Sequence, residues 1–519
     1  MFNKKYLALF LSTVACTILL ANSAAPIFGL QKAIAKDTIE TVSLSPKSSH
    51  QSDNLSHHQE DLIAQFGFGL PDILNGGVPD IPGAIDRKID QVESSIRSRI
   101  PNVLQPLLPE NLFSLENVRL SEFADYFGRD VPEFEQQPED ISKILGEVAT
   151  ETGHRHAMIY ISYQKDAIEG EERDGLEFLL FAPDTPPQIL YAPGYTQEQL
   201  DGLVQQLRQD LALSLRRNTK EYLETGRTLY QALITPIEEY LKSNKIDGLI
   251  FSMDQGLRSL PLAALHDGDR YLIEKYSLAV VPSFFNINSE YDPLKAAPVL
   301  AMGAESFKDL DPLPGAGLEV SAIAKITTGE GLLNEQFTVD NLKNARTSQN
   351  FPIVHLATHA EFNSGSPKNS HIYLWNDRIE LNDIRKLNLD NPAVDLFVLS
   401  ACQTALGSRE AELGFAGLTI ASGAKTALGS LWSVSDAGTL VLMQNFYNYL
   451  QTETTKSAAL RQAQLEMLKG NLRVVGGQVR RTSGAIANIQ LTEDLQTLNF
   501  TELTHPYYWS GFTLVGQPW

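Results

Sequence analysis

Cysteine, positive charge and long apolar segments are all scarce in this sequence. Two cysteines occur among 519 residues, and 42 lysines and arginines stand against 63 aspartates and glutamates, for a formal net charge of −21. Such acidity disfavours nonspecific binding to nucleic-acid phosphates and would attract a basic peptide instead. Beyond the N-terminal region no apolar run approaches the ~20 residues that span a bilayer. No unit repeats with a period of about 30 to 50 residues, which argues against a helical-repeat solenoid.

Motifs for several kinds of site are absent as well. No Gly-x-Ser-x-Gly motif is present, so a serine hydrolase has no obvious nucleophile. The glycines within 313–318 lack the Lys-Ser/Thr of a phosphate-binding loop, and a tight turn before a helix fits them better. His355 and His359 are four apart, but Leu356 stands where a zinc protease has its glutamate. In a strand, residues four apart are separated by about 13 Å, so the sequence predicts no metal and no cofactor.

The first residues resemble an export signal. Lys4 and Lys5 precede an apolar segment over 6–20, and small residues follow it. Cleavage is predicted near Ser23 or Ala35, which would deliver an exported bacterial protein to the periplasm or the medium. The alternative is an uncleaved anchor, and only in that case do we expect the chain to contact a membrane.

Export would leave a single thiol in the mature protein. Removal of the signal takes Cys16 with it, so Cys402 has no partner for an internal disulfide. A free cysteine in an exported protein is either buried in the core or used chemically. Composition alone leaves both alternatives open.

The remaining chain is long enough for several domains, and 43% of all residues are hydrophobic, as in an ordinary globular protein. From about residue 139 apolar strand patterns alternate with amphipathic helix patterns, which predicts an α/β fold with a mostly parallel sheet. Residues 470–483 are predicted to form a polar, flexible loop. The predicted division is a signal peptide (1–35), a low-complexity linker (36–80), a helical segment (81–138), an upstream half (139–290) and a downstream half (291–519).

Two short apolar runs carry the most informative side chains. Residues 351–359 end in His359, and residues 395–404 contain Cys402. Such runs are typical of strands buried on both faces, and ligand sites in open α/β sheets lie beyond the carboxyl ends of the strands. A thiol and an imidazole that meet there form the arrangement of a cysteine–histidine hydrolase. The alternative is a core thiol and a capping histidine.

Several segments, in this order, carry a resemblance to a known family. They run LRSLPLAAL, YLIE, VHLATH, VLSACQT, GAKTALGSLWSVSD and HPYYW, at 257–265, 271–274, 354–359, 398–404, 423–436 and 505–509. Together they resemble the CHAT domain family, relatives of caspases and separases, over about residues 140 to 519.

The resemblance implies a caspase-like three-layer α/β sandwich, with a pseudo-caspase upstream half and an active downstream half. It implies that Cys402 is the nucleophile and that His359 is the general acid and base. The backbone N–H groups of Cys402 and Ala360 would form the oxyanion hole, although the family usually has glycine at the position of Ala360. The added methyl could crowd a substrate or alter the turn.

Two acidic residues are candidates for a pocket that selects a basic residue before the cut bond, Asp436 and Glu361. The alternatives are a helix N-cap for Asp436 and a solvated charge for Glu361. The sequence therefore predicts an exported cysteine endopeptidase that cleaves a protein or peptide, with an activating partner protein as a further expectation. The alternative is an inactive CHAT module that binds a partner protein.

Overall fold

The computed structural model describes residues 108–129, 138–168, 171–213, 220–284, 287–400, 403–404, 408–475, 478–481, 489–490 and 503–519. They belong to one compact unit that spans residues 104–519. The predicted signal peptide, the linker and the first part of the helical segment lie outside the described residues. None of the described helices is long and apolar enough to cross a membrane.

Helices and strands alternate through this unit. The α-helices are α1 Leu108–Phe127, α2 Pro138–Thr152, α3 Gln197–Ala212, α4 Glu221–Leu233, α5 Glu238–Ser243, α6 Leu272–Lys275, α7 Ala316–Thr327, α8 Val339–Ser348, α9 Arg409–Ala416, α10 Leu418–Ser422, α11 Asp436–Leu450 and α12 Lys456–Leu468. The upstream strands are β1 His156–Ile168, β2 Glu171–Phe181, β3 Gln188–Pro193, β4 Gly248–Met253 and β5 Ser277–Val280. The others are β6 Val299–Gly303, β7 Glu330–Leu333, β8 Ile353–Ala357, β9 Ala360–Phe362, β10 His371–Leu374, β11 Asp377–Glu380, β12 Leu396–Leu399, β13 Gln403–Thr404, β14 Thr426–Ser430, β15 Leu472–Val475, β16 Gln478–Arg481, β17 Ile489–Gln490 and β18 Phe512–Gly516.

Eleven of the described strands form one sheet, in the order β3-β2-β1-β4-β5-β18-β14-β12-β8-β6-β7. Strands β1, β4, β5 and β18 are parallel and form an upstream block. Strands β14, β12, β8, β6 and β7 are also parallel and form a downstream block. The two blocks meet where β18 pairs antiparallel with β14. The predicted mostly parallel sheet is confirmed, but it consists of two blocks that run in opposite directions.

Burial of the central strands explains the layered architecture. Every residue of β4, β6, β8, β12 and β14 is buried. Because successive side chains of a strand point to opposite faces, complete burial means that both faces of the sheet are covered. The continuous apolar runs in the sequence therefore encode the middle layer of a three-layer α/β sandwich.

The edges of the fold differ most from the sequence predictions. Strands β1 and β2 form a long antiparallel hairpin, and β3 extends it. This antiparallel pairing was not predicted. Residues 470–483 were predicted as a polar loop, but β15 and β16 pair there as antiparallel strands, and β17 adds to them. The loop prediction is wrong for those residues because backbone pairing does not require an apolar pattern.

Helix α1 inserts a charged side chain beside the carboxyl end of β4 and the middle of β1. Arg119 is 1% exposed. Its guanidinium donates to the Ser252 hydroxyl at 2.6 Å and to the Ile161 carbonyl at 2.8 Å, and it pairs with Asp254 at 3.1 Å. Arg119 thus occupies the edge of the upstream block at which a ligand site would be expected.

Replacing Arg119 tests whether α1 is an integral part of this fold. We expect Arg119→Ala to lower the free energy of unfolding by about 3 kcal/mol, because Asp254 and several polar groups would lose their partner. Chemical denaturation of the purified chain measures the effect. The matched control is Arg227→Ala, which removes an exposed arginine of α4. Equal stability of the two variants would contradict a structural role for Arg119.

Candidate active site

Strands β8 and β12 are parallel neighbours at the centre of the downstream block. Val398 pairs with His355, and Leu399 pairs with Leu356. The Ser400 N–H donates to the Leu356 carbonyl at 3.1 Å. The carboxyl ends of the two strands therefore lie side by side, and His359 follows the first of them.

A small second sheet continues the same arrangement beyond the strand ends. Its order is β11-β10-β9-β13, and β9 pairs in parallel with β13 so that Glu361 faces Gln403. Cys402 lies outside the described residues. The described residues on either side of it, Ser400 and Gln403, contact Leu356 and Glu361, which lie on either side of His359.

The ring of His359 is half-buried and held by one loop. Its Nε2 lies 2.8 Å from the Asp311 carbonyl oxygen, and the Phe307 ring meets it edge-on with centroids 4.8 Å apart. A carbonyl only accepts hydrogen bonds, so Nε2 carries the proton in the neutral ring. The lone pair then belongs to Nδ1, which is the atom able to take a proton from a thiol.

His355 has a different environment. It is fully buried in β8, as the sequence predicted, with Nδ1 3.1 Å from the Tyr447 hydroxyl and Nε2 2.9 Å from a Glu319 carboxylate oxygen. The last contact is an ion-pair distance without good hydrogen-bond geometry. In the described ranges no group of three histidine, cysteine, aspartate or glutamate side chains could hold a metal ion.

Ala360 begins β9 and is 2% exposed. It is not among the residues with positive φ, so the backbone there does not need the freedom of a glycine. Its methyl group is buried in the structure and does not protrude into solvent. The alanine therefore brings no backbone strain to the turn after His359.

Asp436 is the first residue of α11, and its carboxylate is largely enclosed. The N-cap is the preceding Ser435, whose hydroxyl accepts from the Gly438 N–H. One Asp436 oxygen accepts from the Gly315 N–H at 3.2 Å. Burial raises the pKa of Asp436 to about 6, and repulsion by Glu319 acts in the same direction.

Glu361 is the second acidic candidate and lies in β9 beside His359. It is partly exposed and accepts a hydrogen bond from the Tyr373 hydroxyl at 3.2 Å. Its partner on the neighbouring strand β10 is His371. Glu361 is thus on the same side of the downstream block as His359.

The loop of residues 304–315, which we call the His359 loop, was missed by sequence reasoning. It follows β6, the neighbour of β8, and contributes Phe307 and the Asp311 carbonyl. Every residue has a backbone carbonyl, so the pattern of residue types does not show which carbonyl will bind a histidine. The available signal was the tight turn predicted within 313–318, but the position of the loop next to β8 depends on strand order.

Asp436→Asn tests the cost of the buried carboxylate. Because the folded chain raises the pKa from 3.8 to about 6, it binds this proton more tightly than the unfolded chain does. The ionised carboxylate therefore lowers stability above pH 6, and the penalty disappears as the pH falls toward 4. We expect the variant to be more stable than the original by about 1–3 kcal/mol at pH 8, with a gain that shrinks below pH 6.

Urea denaturation at a series of pH values measures this difference. The matched control is Asp340→Asn, which changes an exposed aspartate in the first turn of α8. Identical stability of Asp436→Asn and the original chain at pH 8 would contradict the burial penalty.

Comparisons with known proteins identify the fold family. The CHAT domain family model matches residues 223–517, and β1 to β3 extend the same sheet on the N-terminal side of that match. Tetratricopeptide repeat protein 28 of Mus musculus is 23% identical over 353 residues, which cover 56% of this chain and 13% of the mouse protein.

Two crystal structures of the Saccharomyces cerevisiae separase–securin complex also match. Their identities are 11% and 10%, each with a TM-score of 0.38, and the match covers 73% of this chain and 31% of the other. A TM-score this low supports no conclusion about a site. The chain thus spans less than a third of the length of the proteins it matches. The family model covers more than half of this chain, which therefore belongs to the CHAT domain family.

Proposed function

We propose that this protein is a cysteine endopeptidase in which Cys402 is the nucleophile and His359 is the general acid and base. The observation that carries the proposal is the pairing of β8 and β9 with β12 and β13. Residues just before and just after Cys402 contact residues just before and just after His359. These contacts between the described neighbours of the two residues support a Cys402–His359 pair as the proposed catalytic dyad.

The orientation of the His359 ring suits the proposed reaction. With Nε2–H bonded to the Asp311 carbonyl, Nδ1 takes the proton of the thiol, and the thiolate attacks the peptide carbonyl carbon. The same nitrogen then donates its proton to the leaving amine. Water attacks the resulting thioester, with His359 as base, and releases the acid and the free thiol.

The oxyanion of the tetrahedral intermediate needs donors that are already in position. In this proposal the backbone N–H groups of Ala360 and Cys402 supply them. The negative φ and buried methyl of Ala360 are compatible with that role. The Asp311 carbonyl would hold the ring through Nε2–H in every step, because only Nδ1 exchanges its proton in this proposal.

A basic residue before the cut bond is the preferred substrate in this proposal. Asp436 and Glu361 lie on the same side of the downstream block as His359, and neither forms an ion pair with a described lysine or arginine. An arriving arginine or lysine would relieve the electrostatic penalty on Asp436. We further propose that the signal peptide is removed and that the substrate is a protein or peptide outside the cytoplasm.

Substitution of the two catalytic candidates tests the activity. We expect Cys402→Ala and His359→Ala each to abolish cleavage of a peptide library while leaving the melting temperature nearly unchanged, because both residues act at the reacting atoms. The matched control is His154→Ala, which removes a half-buried histidine of the upstream half. Undiminished cleavage by either catalytic variant would refute the dyad.

A companion measurement separates a peptidase from an inactive binding module. In a Cys16→Ser background, iodoacetamide can label only Cys402. We expect rapid labelling at neutral pH, slowed by His359→Ala because the imidazole would no longer favour the thiolate. A Cys16→Ser chain that neither labels nor cleaves would favour the interaction module.

Peptides that differ only at the residue before the cut bond test the acidic pocket. We expect kcat/KM for arginine or lysine to exceed that for glutamine or norleucine by about tenfold or more, since a partly buried ion pair contributes at least 1.4 kcal/mol. Asp436→Asn and Glu361→Gln should each reduce that preference. Equal rates for charged and neutral peptides would exclude the pocket.

A further inference from the structure

The two described contacts of the His359 ring both come from the His359 loop. The ring can be no better fixed than the loop that holds it, because Phe307 and Asp311 both contact it from this one connection. The attachment of this loop to the rest of the protein therefore decides where the imidazole lies. Both ends of the loop have specific polar attachments.

The first end is closed by Glu305 and Asn334. The Asn334 amide oxygen accepts from the Glu305 N–H at 3.0 Å, and its amide nitrogen donates to the Glu305 carboxylate at 3.1 Å. The Glu305 carbonyl in turn accepts from the Leu313 N–H at 2.9 Å. This backbone bond closes the loop on itself, with Asp311 inside the closure.

The second end is attached through Gly315 and Asp436. Gly315 is the N-cap of α7, and its N–H donates to the carboxylate of Asp436 at the start of α11. The N-terminal ends of both helices, 12 and 15 residues long, thus converge on one carboxylate, which their positive dipole ends stabilise. The carboxylate joins the loop to the helix layer of the downstream block.

This attachment is retained at a cost in stability. Asp436 is largely but not fully buried, and Glu319, one turn into α7, repels it. Among the described residues no cation forms an ion pair with it. A buried charge without a counterion is the kind of feature that proteins keep for function and not for folding.

We propose that Asp436 is a positioning residue for His359, which acts through the Gly315 N–H and the His359 loop to hold the Asp311 carbonyl and the Phe307 ring against the imidazole. The effect of this positioning on catalysis rests on the proposed peptidase function. The attachment itself is a property of the substrate-free protein, and it is distinct from any contact between Asp436 and a basic substrate residue.

Nuclear magnetic resonance of the full-length chain, labelled at histidine Cε1, tests the attachment without substrate. The His359 signal is identified by its loss in His359→Gln. The change of its chemical shift in Phe307→Leu measures the displacement of the signal that the aromatic ring causes. We expect Asp436→Ala to remove about half of that displacement or more. Asp436→Asn, which keeps an oxygen acceptor for Gly315, should retain most of it. An unchanged His359 signal in Asp436→Ala would overturn the proposal.

The other end of the loop supplies a second variant that does not touch Asp436. Asn334 has φ of +51°, so Asn334→Gly keeps the backbone conformation and removes only the side-chain bonds to Glu305. We expect it to move the His359 signal in the same direction as Asp436→Ala. If Asp436→Ala does not fold, an unmoved signal in Asn334→Gly would itself contradict anchoring of the ring through the loop.

Kinetics on a peptide with an uncharged residue before the cut bond separate positioning from substrate selection. A misplaced imidazole should lower kcat by about tenfold to a hundredfold with little change in KM. A residue that only reads a basic side chain would leave this neutral substrate and the His359 signal unaffected, and that result would overturn the proposal. If the wild-type chain cleaves nothing, the peptidase function fails, while the resonance measurement still decides the positioning role.

Discussion

The antiparallel pairing of β14 with β18 is the constraint on which the rest of the structure depends. Five backbone pairs, from Thr426 with Gly516 to Ser430 with Phe512, join two parallel blocks that run in opposite directions. Parallel strands present their carboxyl ends at one edge, so this joint sends the carboxyl ends of the two blocks to opposite edges of the sheet. The fold therefore has two equivalent positions at which an α/β sheet would place a site.

The two positions have different occupants. At the edge of the upstream block, α1 fills the space with Arg119, whose charge is matched by Asp254 and by hydroxyl and carbonyl acceptors. At the edge of the downstream block, the His359 ring is only half-buried, and Asp436, which is bonded to the loop that holds the ring, has no described counterion. The upstream position is therefore filled by a matched charge, whereas the proposed site in the downstream block has an acidic group without a described counterion.

The sequence accounted for the central strands and for the candidate residues but not for their surroundings. Continuous apolar runs such as 353–357 identified the buried strands because burial on both faces leaves a local pattern. His355 could be assigned to the core from the same pattern. The His359 loop, β9 to β11 and the Asp436–Gly315 contact escaped prediction, since their partners are 12 to about 120 residues apart in the chain.

By itself the sequence determined the alternation of strands and helices, the family resemblance and the position of His359 just after a buried strand. These follow from residue types within short windows, where periodicity and side-chain chemistry are encoded directly. Only the tertiary structure decided that the two blocks of strands run in opposite directions and that a backbone carbonyl holds His359. It also decided that Asp436 binds the loop that contains this carbonyl. Strand order and backbone hydrogen bonds between distant segments arise from packing of the whole domain, and no local pattern records them.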